Sequence, residues 1–203
     1  SGLGVLSRKF HIPIYATEGT LRQISEMGTL GKIDSDLFQP IEAGREFKVG
    51  NLSMESFSIS HDAADPVSFL VRDGEKKVGM VTDLGYYDEA VVERLKDSNL
   101  LYVEANHDIH MLQAGPYPYY LKRRILGERG HLCNEKAAQL VAELMNNRLK
   151  QVILGHLSKE NNSEAMAMDT VRTHLRSEDI FDEEFKLHVA HRDRTSGVFQ
   201  IAK

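Results

Sequence analysis

The stretch VSFLVRDGEKKVGMVTD, residues 67–83, contains the pattern that decides the fold. Two β-rich runs, 67–72 and 77–82, flank the pair Asp73-Gly74, which readily adopts the positive φ of a tight turn. The stretch therefore predicts an antiparallel hairpin. Asp83 follows the second run, directly after the sequence Val-Gly-Met-Val and a threonine. Packing in a core does not explain a carboxylate at this position.

The segments before and after the hairpin differ in their predicted order of strands and helices. On the amino-terminal side a helix opened by Thr20, with Gln23 three residues later, lies among short strands predicted at 12–16, 38–41, 46–49 and 52–59. On the carboxy-terminal side helices at 88–96, 134–149 and 163–175 alternate with strands at 100–104, 151–154, 186–190 and 198–201. Hairpins followed by strand–helix alternation predict an α/β sandwich of mixed sheets with helices on the outside.

Composition narrows the class of protein. A chain of 203 residues with 41% hydrophobic and 27% charged residues suits a single domain, 1–203. No apolar run approaches the roughly 20 residues that cross a bilayer, so no membrane partner is expected. The single cysteine, Cys133, fits a cytoplasmic location, and the net charge of −5 gives no global basic field for nucleic acid. Oligomeric state stays open.

Three polar residues stand where predicted strands end: His61, Asp83 and His156. Imidazole nitrogens and carboxylate oxygens suit zinc, manganese or iron, and a catalytic metal needs several such ligands to converge. A lone histidine at a strand end is more often an ordinary surface or core residue. Three such residues at the same end of their strands favour a metal site, and the hairpin should bring His61 and Asp83 together.

Five motifs in this order resemble the YycJ/WalJ-type exonucleases of the metallo-β-lactamase fold. They are Ser60-His61-Asp62, Val81-Thr82-Asp83-Leu84-Gly85, Val103-Glu104-Ala105-Asn106-His107-Asp108, Arg129-Gly130-His131-Leu132 and Gly155-His156-Leu157-Ser158-Lys159-Glu160-Asn161-Asn162. The resemblance extends from Gly2 to the carboxy terminus, and the last two motifs are the most specific. It implies an αββα sandwich and a bacterial DNA exonuclease that uses two divalent ions, whether zinc, manganese or iron.

The resemblance also implies roles for individual residues. His61, Asp83 and His156 would ligate the ions, with Asp83 between the two, and Asp83 and His156 would be catalytic. Water activated by two metals would attack the phosphorus without a covalent enzyme intermediate. Glu104 would accept the N–H of a ligand imidazole. His107 could hold a ligand imidazole, contact the substrate or lie at the surface.

In one respect the sequence departs from that family. Its members carry a His-x-His-x-Asp-His cluster directly before a segment similar to 2–6, whereas this chain starts at Ser1. We expect residues upstream of Ser1 to supply that cluster and the missing opening strands of the first sheet. We also expect the 203-residue chain by itself to have little or no activity.

A basic and aromatic segment, 117–124, precedes the His131 motif. Aromatic rings stack on bases and cations hold phosphates, which grips a nucleic-acid strand without reading its sequence. The expected contacts with a single- or double-stranded DNA end are Lys122, Arg123, Arg129, His131, Ser158 and Asn161. The alternative is that Tyr119 and Tyr120 pack their loop onto the body and that the cations form a solvated face.

Two other functions remain open from the sequence. The same fold could hydrolyse a small ester, thioester, lactone or cyclic nucleotide, in which case activity would be insensitive to salt and absent on DNA. Alternatively the chain could be a non-catalytic binding module that has lost its metals, in which case it would bind none even with upstream residues present.

Overall fold

The computed structural model describes residues 2–146, 148–181 and 184–201. Nine strands form two sheets in the described residues. The strands are β1 Ile14–Thr17, β2 Phe38–Ile41, β3 Glu46–Val49, β4 Leu52–Ser58, β5 Val67–Asp73, β6 Lys76–Val81, β7 Leu100–Glu104, β8 Gln151–Gly155 and β9 Lys186–Val189. The helices are α1 Gly2–Phe10, α2 Glu18–Glu26, α3 Glu89–Leu95, α4 Ile109–Ala114, α5 Tyr119–Leu126, α6 Asn134–Leu144 and α7 Glu164–Ser177.

The larger sheet has seven strands, which lie side by side in sequence order from β3 to β9. Pairing is antiparallel from β3 to β6 and parallel from β6 to β9, so the sheet is mixed as predicted. Strands β1 and β2 form a separate parallel pair, and the ring of Tyr15 on β1 stacks on Phe47 of β3 at 5.5 Å. The predicted α/β class with helices flanking a mixed sheet is confirmed.

This topology places four strand ends at one edge of the sheet. Because β5 runs antiparallel to both of its neighbours, β4 and β6 run in the same direction, and β7 and β8 continue it. The carboxyl ends of β4, β6, β7 and β8 therefore share an edge, the usual place for ligands in α/β sheets. The predicted hairpin joins β5 to β6 through Gly74, at φ 57°, whereas His61 follows β4. His61 therefore lies beside Asp83 because β4 runs parallel to β6, and not because of the hairpin.

The core lies between this sheet and helices α6 and α7. Val81, Val103 and Leu154 of the central strands are fully buried, and so are Leu140 of α6 and Val171 of α7. In α6 the buried residues Ala137, Leu140, Val141 and Leu144 recur at helical spacing, as expected for a helix that lies against a sheet. Among the described residues no helix has the length and apolar character needed to span a bilayer.

Some boundaries differ from the predicted ones. The helix predicted to reach residue 149 ends at Leu144, because Asn146 Oδ1 accepts the backbone N–H groups of Arg148 and Leu149 and so closes a local turn. Residues 198–201 form no strand in the described part of the chain. The short helices α1, α4 and α5 were not predicted. The loop expected at Tyr119 and Tyr120 is the start of α5, and Pro118 stands just before the first helical residue, where its missing N–H has no consequence.

Candidate metal centre

Four ionisable side chains converge at the carboxyl edge of the sheet. Asp83 follows β6, Glu104 ends β7, His156 follows β8 and His131 stands three residues before α6. Each offers a potential ligand atom, and these four atoms lie within 4.8 Å of one another. Two of the four, Asp83 and His156, are predicted ligands, and the structure adds His131 with Glu104.

Asp83 lies at the middle of this group. Its Oδ1 is 3.4 Å from Nε2 of His156 and 3.7 Å from Nε2 of His61. Nδ1 of His131 is 3.9 Å from the same oxygen. The three residues predicted to ligate metal therefore do meet, and a carboxylate surrounded by imidazole nitrogens is a donor set that suits zinc, manganese or iron. The residues present fit divalent metal.

The imidazole of His61 is oriented by the backbone. Its Nδ1 lies 3.0 Å from the carbonyl oxygen of Gly130, which can only accept a hydrogen bond. Nδ1 therefore carries the proton, and the lone pair of Nε2 points to the side of the ring on which Asp83 lies. A hydrogen bond of this type fixes the tautomer and ring angle that a metal-ligating histidine requires.

Glu104 is fully buried and orients His131. Its Oε1 lies 2.7 Å from Nδ1 of His131, and its Oε2 accepts the backbone N–H groups of Leu84 and Leu132. Burial lowers the pKa of His131, but the hydrogen bond to Glu104 and the charges of Glu104 and Asp83 outweigh that effect, so the pKa lies above its usual value. Because three donors already occupy Glu104, we interpret it as the support of His131.

Both Asp83 and His156 have left-handed backbone, with φ of 59° and 56°. This region is uncommon for residues other than glycine and is concentrated at functional sites. At each position it turns the chain sharply as it leaves a parallel strand. The turn at His156 is held by Asn106, whose Nδ2 donates to the His156 carbonyl at 2.9 Å.

The loops around the metal centre pack closely against one another. Gly85 and Gly130 permit this, because a Cβ at Gly85 would lie 2.3 Å from the Glu128 carbonyl and one at Gly130 would lie 2.2 Å from that of Ile125. Arg129 also joins these loops, since its Nε donates to the carbonyl of His61 at 3.1 Å. This bond uses one of the donors of the exposed Arg129, and the DNA contact expected of Arg129 stays a prediction.

Asp62 next to His61 is paired with Arg124 of α5. Nε and Nη2 of Arg124 reach the two carboxylate oxygens of Asp62, with the Nη2–Oδ1 distance 2.9 Å. The hydrogen bond to Arg124 lowers the pKa of Asp62. Sequence analysis missed this pair, because 62 residues separate its members and neither stands in a pattern that indicates the other.

A cleft of about 860 Å³ opens beside the centre, and we call it the cationic cleft. His131 and His156 line this cleft and are also part of the metal centre. Its other lining residues are Tyr102, Asn106, Tyr117, Leu121, Arg124, Ile125, Leu157, Ser158, Lys159, Glu160, Asn162, Ser163, Glu164, Ala190, His191 and Arg192.

The predicted substrate contacts fall in different places. Ser158 and His131 line the cationic cleft. Lys122 lies outside it and donates to the carbonyl of Gln113, while Arg123 lies over the ring of Tyr119 at 6.0 Å. Asn161 is fully buried, and its amide donates to Ser158 Oγ, so its position supports the loop instead of facing a ligand.

Two further expectations concern side chains near these residues. His107 is buried, and neither ring nitrogen has a hydrogen-bond partner in the described structure, so it neither lies at the surface nor holds an imidazole there. Tyr119 and Tyr120 are 75% and 74% exposed. The alternative that these two rings pack their segment onto the body is therefore wrong.

Comparison with known proteins gives consistent results. The model of the beta-lactamase superfamily domain matches residues 1–157. Exodeoxyribonuclease YycJ of Bacillus anthracis is 36% identical over 188 residues, which are 92% of this chain and 70% of that protein. Exodeoxyribonuclease WalJ of Streptococcus pneumoniae is 35% identical over 201 residues, 98% of this chain and 75% of that protein.

Two solved structures are similar in fold. Zinc-bound PqqB from Methylobacterium extorquens superposes with a TM-score of 0.66 at 18% identity, covering 97% of this chain and 69% of that one. The metallo-β-lactamase fold protein YhfI from Bacillus subtilis gives a TM-score of 0.63 at 15% identity, covering 97% and 68%. At these identities the structures show the shared fold alone.

Proposed function

This chain belongs to the beta-lactamase superfamily domain family, and from that premise we propose that it is a metal-dependent phosphodiesterase that removes nucleotides from DNA ends. One observation carries the proposal: Asp83 lies among His61, His131 and His156, and the last two of these also line a cleft that contains Lys159 and Arg192. Relatives named exodeoxyribonuclease, at 35% and 36% identity, support DNA as the substrate.

His61, Asp83 and His156 are the residues that would hold divalent metal, through Nε2 of each imidazole and the carboxylate of Asp83. Asp83 would serve two ions in this proposal, which the approach of imidazoles to its Oδ1 from more than one strand end supports. When bound, divalent ions supply Lewis-acid polarisation of the phosphate and a nucleophilic water at neutral pH.

His131 is the proposed proton donor. Glu104 holds its Nδ1, which leaves Nε2 as the nitrogen available to the cationic cleft. In the metal-free protein the hydrogen bond to Glu104 and its charge raise the pKa of His131 despite its burial. A positioned imidazolium can protonate the departing sugar oxygen of a cleaved phosphodiester, which is general acid catalysis.

The test is nucleotide release from labelled DNA by the gene product at its native length, with zinc, manganese or iron added. We expect release that requires metal, falls at least about 100-fold in Asp83→Ala and persists in Asp169→Ala, a matched change on the exposed face of α7. Hydrolysis of small esters or cyclic nucleotides without release from DNA would contradict the DNA assignment. Failure of the native-length protein to bind metal would overturn the enzyme assignment in favour of a binding module.

A further inference from the structure

The cationic cleft has two walls built from distant parts of the chain. One wall is the segment from Tyr117 to Ile125, and the other comprises residues 157–164 and 190–192. His131 and His156 connect the cleft to the metal centre. A strand whose scissile phosphate lies at Asp83 would therefore pass directly into it.

The free positive charge of the cleft comes from Lys159 and Arg192. Arg124 also lines the cleft, but Asp62 neutralises it. Lys159 is exposed. Arg192 is anchored through Nη1 to the carbonyl of Leu157, which leaves most of the five donors of its guanidinium for a ligand.

Two carboxylates, Glu160 and Glu164, also line the cleft. Glu164 is engaged by His191, whose Nδ1 lies 2.7 Å from its Oε1. Glu160 is the other acidic lining residue, and the ammonium of Lys159 and the guanidinium of Arg192 are the groups of the lining that can bind phosphate. Because the whole chain carries a net charge of −5, two free cations beside a phosphodiester site are a local feature and not a general basicity.

The size and the aromatic lining point to an unpaired strand. A volume of about 860 Å³ lies in the range of pockets that enclose small organic ligands, which is room for one or two nucleotides. The half-buried ring of Tyr117 lines one wall, and tyrosine faces stack on any base. Phosphate-binding cations opposite a stacking ring are the two elements that hold single-stranded nucleic acid.

We propose that the cationic cleft holds the last one or two unpaired nucleotides of the DNA strand, with Lys159 and Arg192 on the phosphates and Tyr117 on a base. This inference rests on the proposed function, and it adds that the strand end must be unpaired before it is cut. Tyr117 belongs to one wall of the cleft, and Lys159 and Arg192 belong to the other. The three residues are binding residues, while the reacting phosphate lies at Asp83.

The test is equilibrium binding of a fluorescein-labelled thymidine octanucleotide, followed by fluorescence anisotropy in EDTA so that no turnover interferes. We expect Lys159→Ala and Arg192→Ala each to weaken binding about tenfold and to reduce the salt slope by about one. Tyr117→Ala should weaken binding about tenfold, while Tyr117→Phe keeps the ring and binds as wild type. Arg194→Ala, on the same exposed loop but outside the cleft lining, is the matched control and should bind normally.

A blunt hairpin duplex of eight base pairs completes the comparison. The wild-type protein should bind it more weakly than the octanucleotide, and the three cleft variants should change its binding less. Equal losses in Arg194→Ala and Arg192→Ala, or unchanged binding in all three cleft variants, would overturn the inference. DNA hydrolysis by a native-length protein whose cleft variants bind normally would refute the cleft alone, and altered binding without any DNA hydrolysis would refute the proposed function alone.

Discussion

Nδ1 of His131 lies 2.7 Å from Oε1 of Glu104, a carboxylate with no exposed surface. The second oxygen of Glu104 accepts the backbone N–H of Leu84, beside Asp83, and of Leu132, beside His131. One buried side chain therefore ties the end of β7 to the loop after β6 and to the segment that precedes α6. The position of His131 relative to Asp83 depends on it.

Glu104→Gln should lower the pKa of His131. Burial already lowers that pKa, and the carboxylate of Glu104 is the main group that opposes it, both by its hydrogen bond and by its charge. A neutral amide removes the charge while keeping the shape. The measurement is an NMR titration of the imidazole nitrogens in metal-free protein. Glu75→Gln, at the exposed turn between β5 and β6, should leave the titration unchanged, and an unchanged pKa in Glu104→Gln would contradict the prediction.

Added zinc or manganese should raise the melting temperature of the native-length protein. A ligand that binds only the folded state at 100 times its Kd stabilises by about 2.7 kcal/mol, which is on the order of 5–10 °C for a protein of this size. Asp83→Asn should abolish most of the shift, because Asp83 Oδ1 is the atom on which the imidazoles converge. Thermal melts with and without EDTA provide the measurement. Asp169→Asn is the control, and an equal shift in both variants would exclude Asp83 as a ligand.

The strands of the two sheets could be predicted from sequence because the signals are local, although the further strand predicted at 198–201 does not form in the described residues. Alternating apolar residues and the Asp73-Gly74 turn define the β5–β6 hairpin, and the carboxylate at its end had no packing explanation. A shared edge for His61, Asp83 and His156 follows from strand direction alone. Those three residues therefore meet as expected, although their metal-binding role stays a prediction.

The rest of the site depends on contacts between distant segments. Arg124 and Asp62 pair across 62 residues, and Arg192 reaches Leu157 across 35. The motif that follows His156 shows the same limit, because its Ser158 and Lys159 line the cleft while Asn161 is fully buried. Neighbouring polar residues have the same local signal, and only the packing of the loop decides which of them faces solvent.

His107 should make the protein sensitive to acid. Burial lowers its pKa to about 4, whereas the unfolded chain takes up the proton near 6.5. Between those values the unfolded state binds more protons, so stability falls as pH drops from about 6.5 towards 4. The loss attributable to this residue between pH 7 and pH 5 is about 2 kcal/mol.

Urea unfolding at pH 7 and pH 5 measures that loss. His107→Leu should lose about 2 kcal/mol less than wild type between the two pH values, since neither ring nitrogen of His107 has a partner to forfeit. His110→Leu, on the exposed side of α4, provides the comparison for removing a histidine that is not buried. An equal pH dependence in wild type and His107→Leu would show that His107 has the same pKa in the folded and unfolded states and would contradict the prediction.

Asn134 and Asn162 should be energetically coupled. Asn162 Nδ2 donates to Asn134 Oδ1 at 2.8 Å, and Asn134 Nδ2 donates back to Asn162 Oδ1 at 3.0 Å. Asn162 Nδ2 also reaches the carbonyl of Ala105. Both side chains are buried, so removing either leaves polar atoms without a partner, at a cost of about 1–3 kcal/mol.

The double variant decides whether that cost belongs to the pair. Each single variant leaves the other amide without its partner, whereas the double variant removes both amides. The losses in unfolding free energy of Asn134→Ala and Asn162→Ala should therefore sum to more than the loss of the double variant, by about 0.5–3 kcal/mol. Denaturant unfolding of the four proteins measures the difference, with Asn51→Ala at an exposed turn as control. Strict additivity would show that the amides act separately. Coupling would mean that the start of α6, next to His131, and the loop after His156 are held as one unit, which fixes the spacing of the two imidazoles whose rings lie 5.3 Å apart.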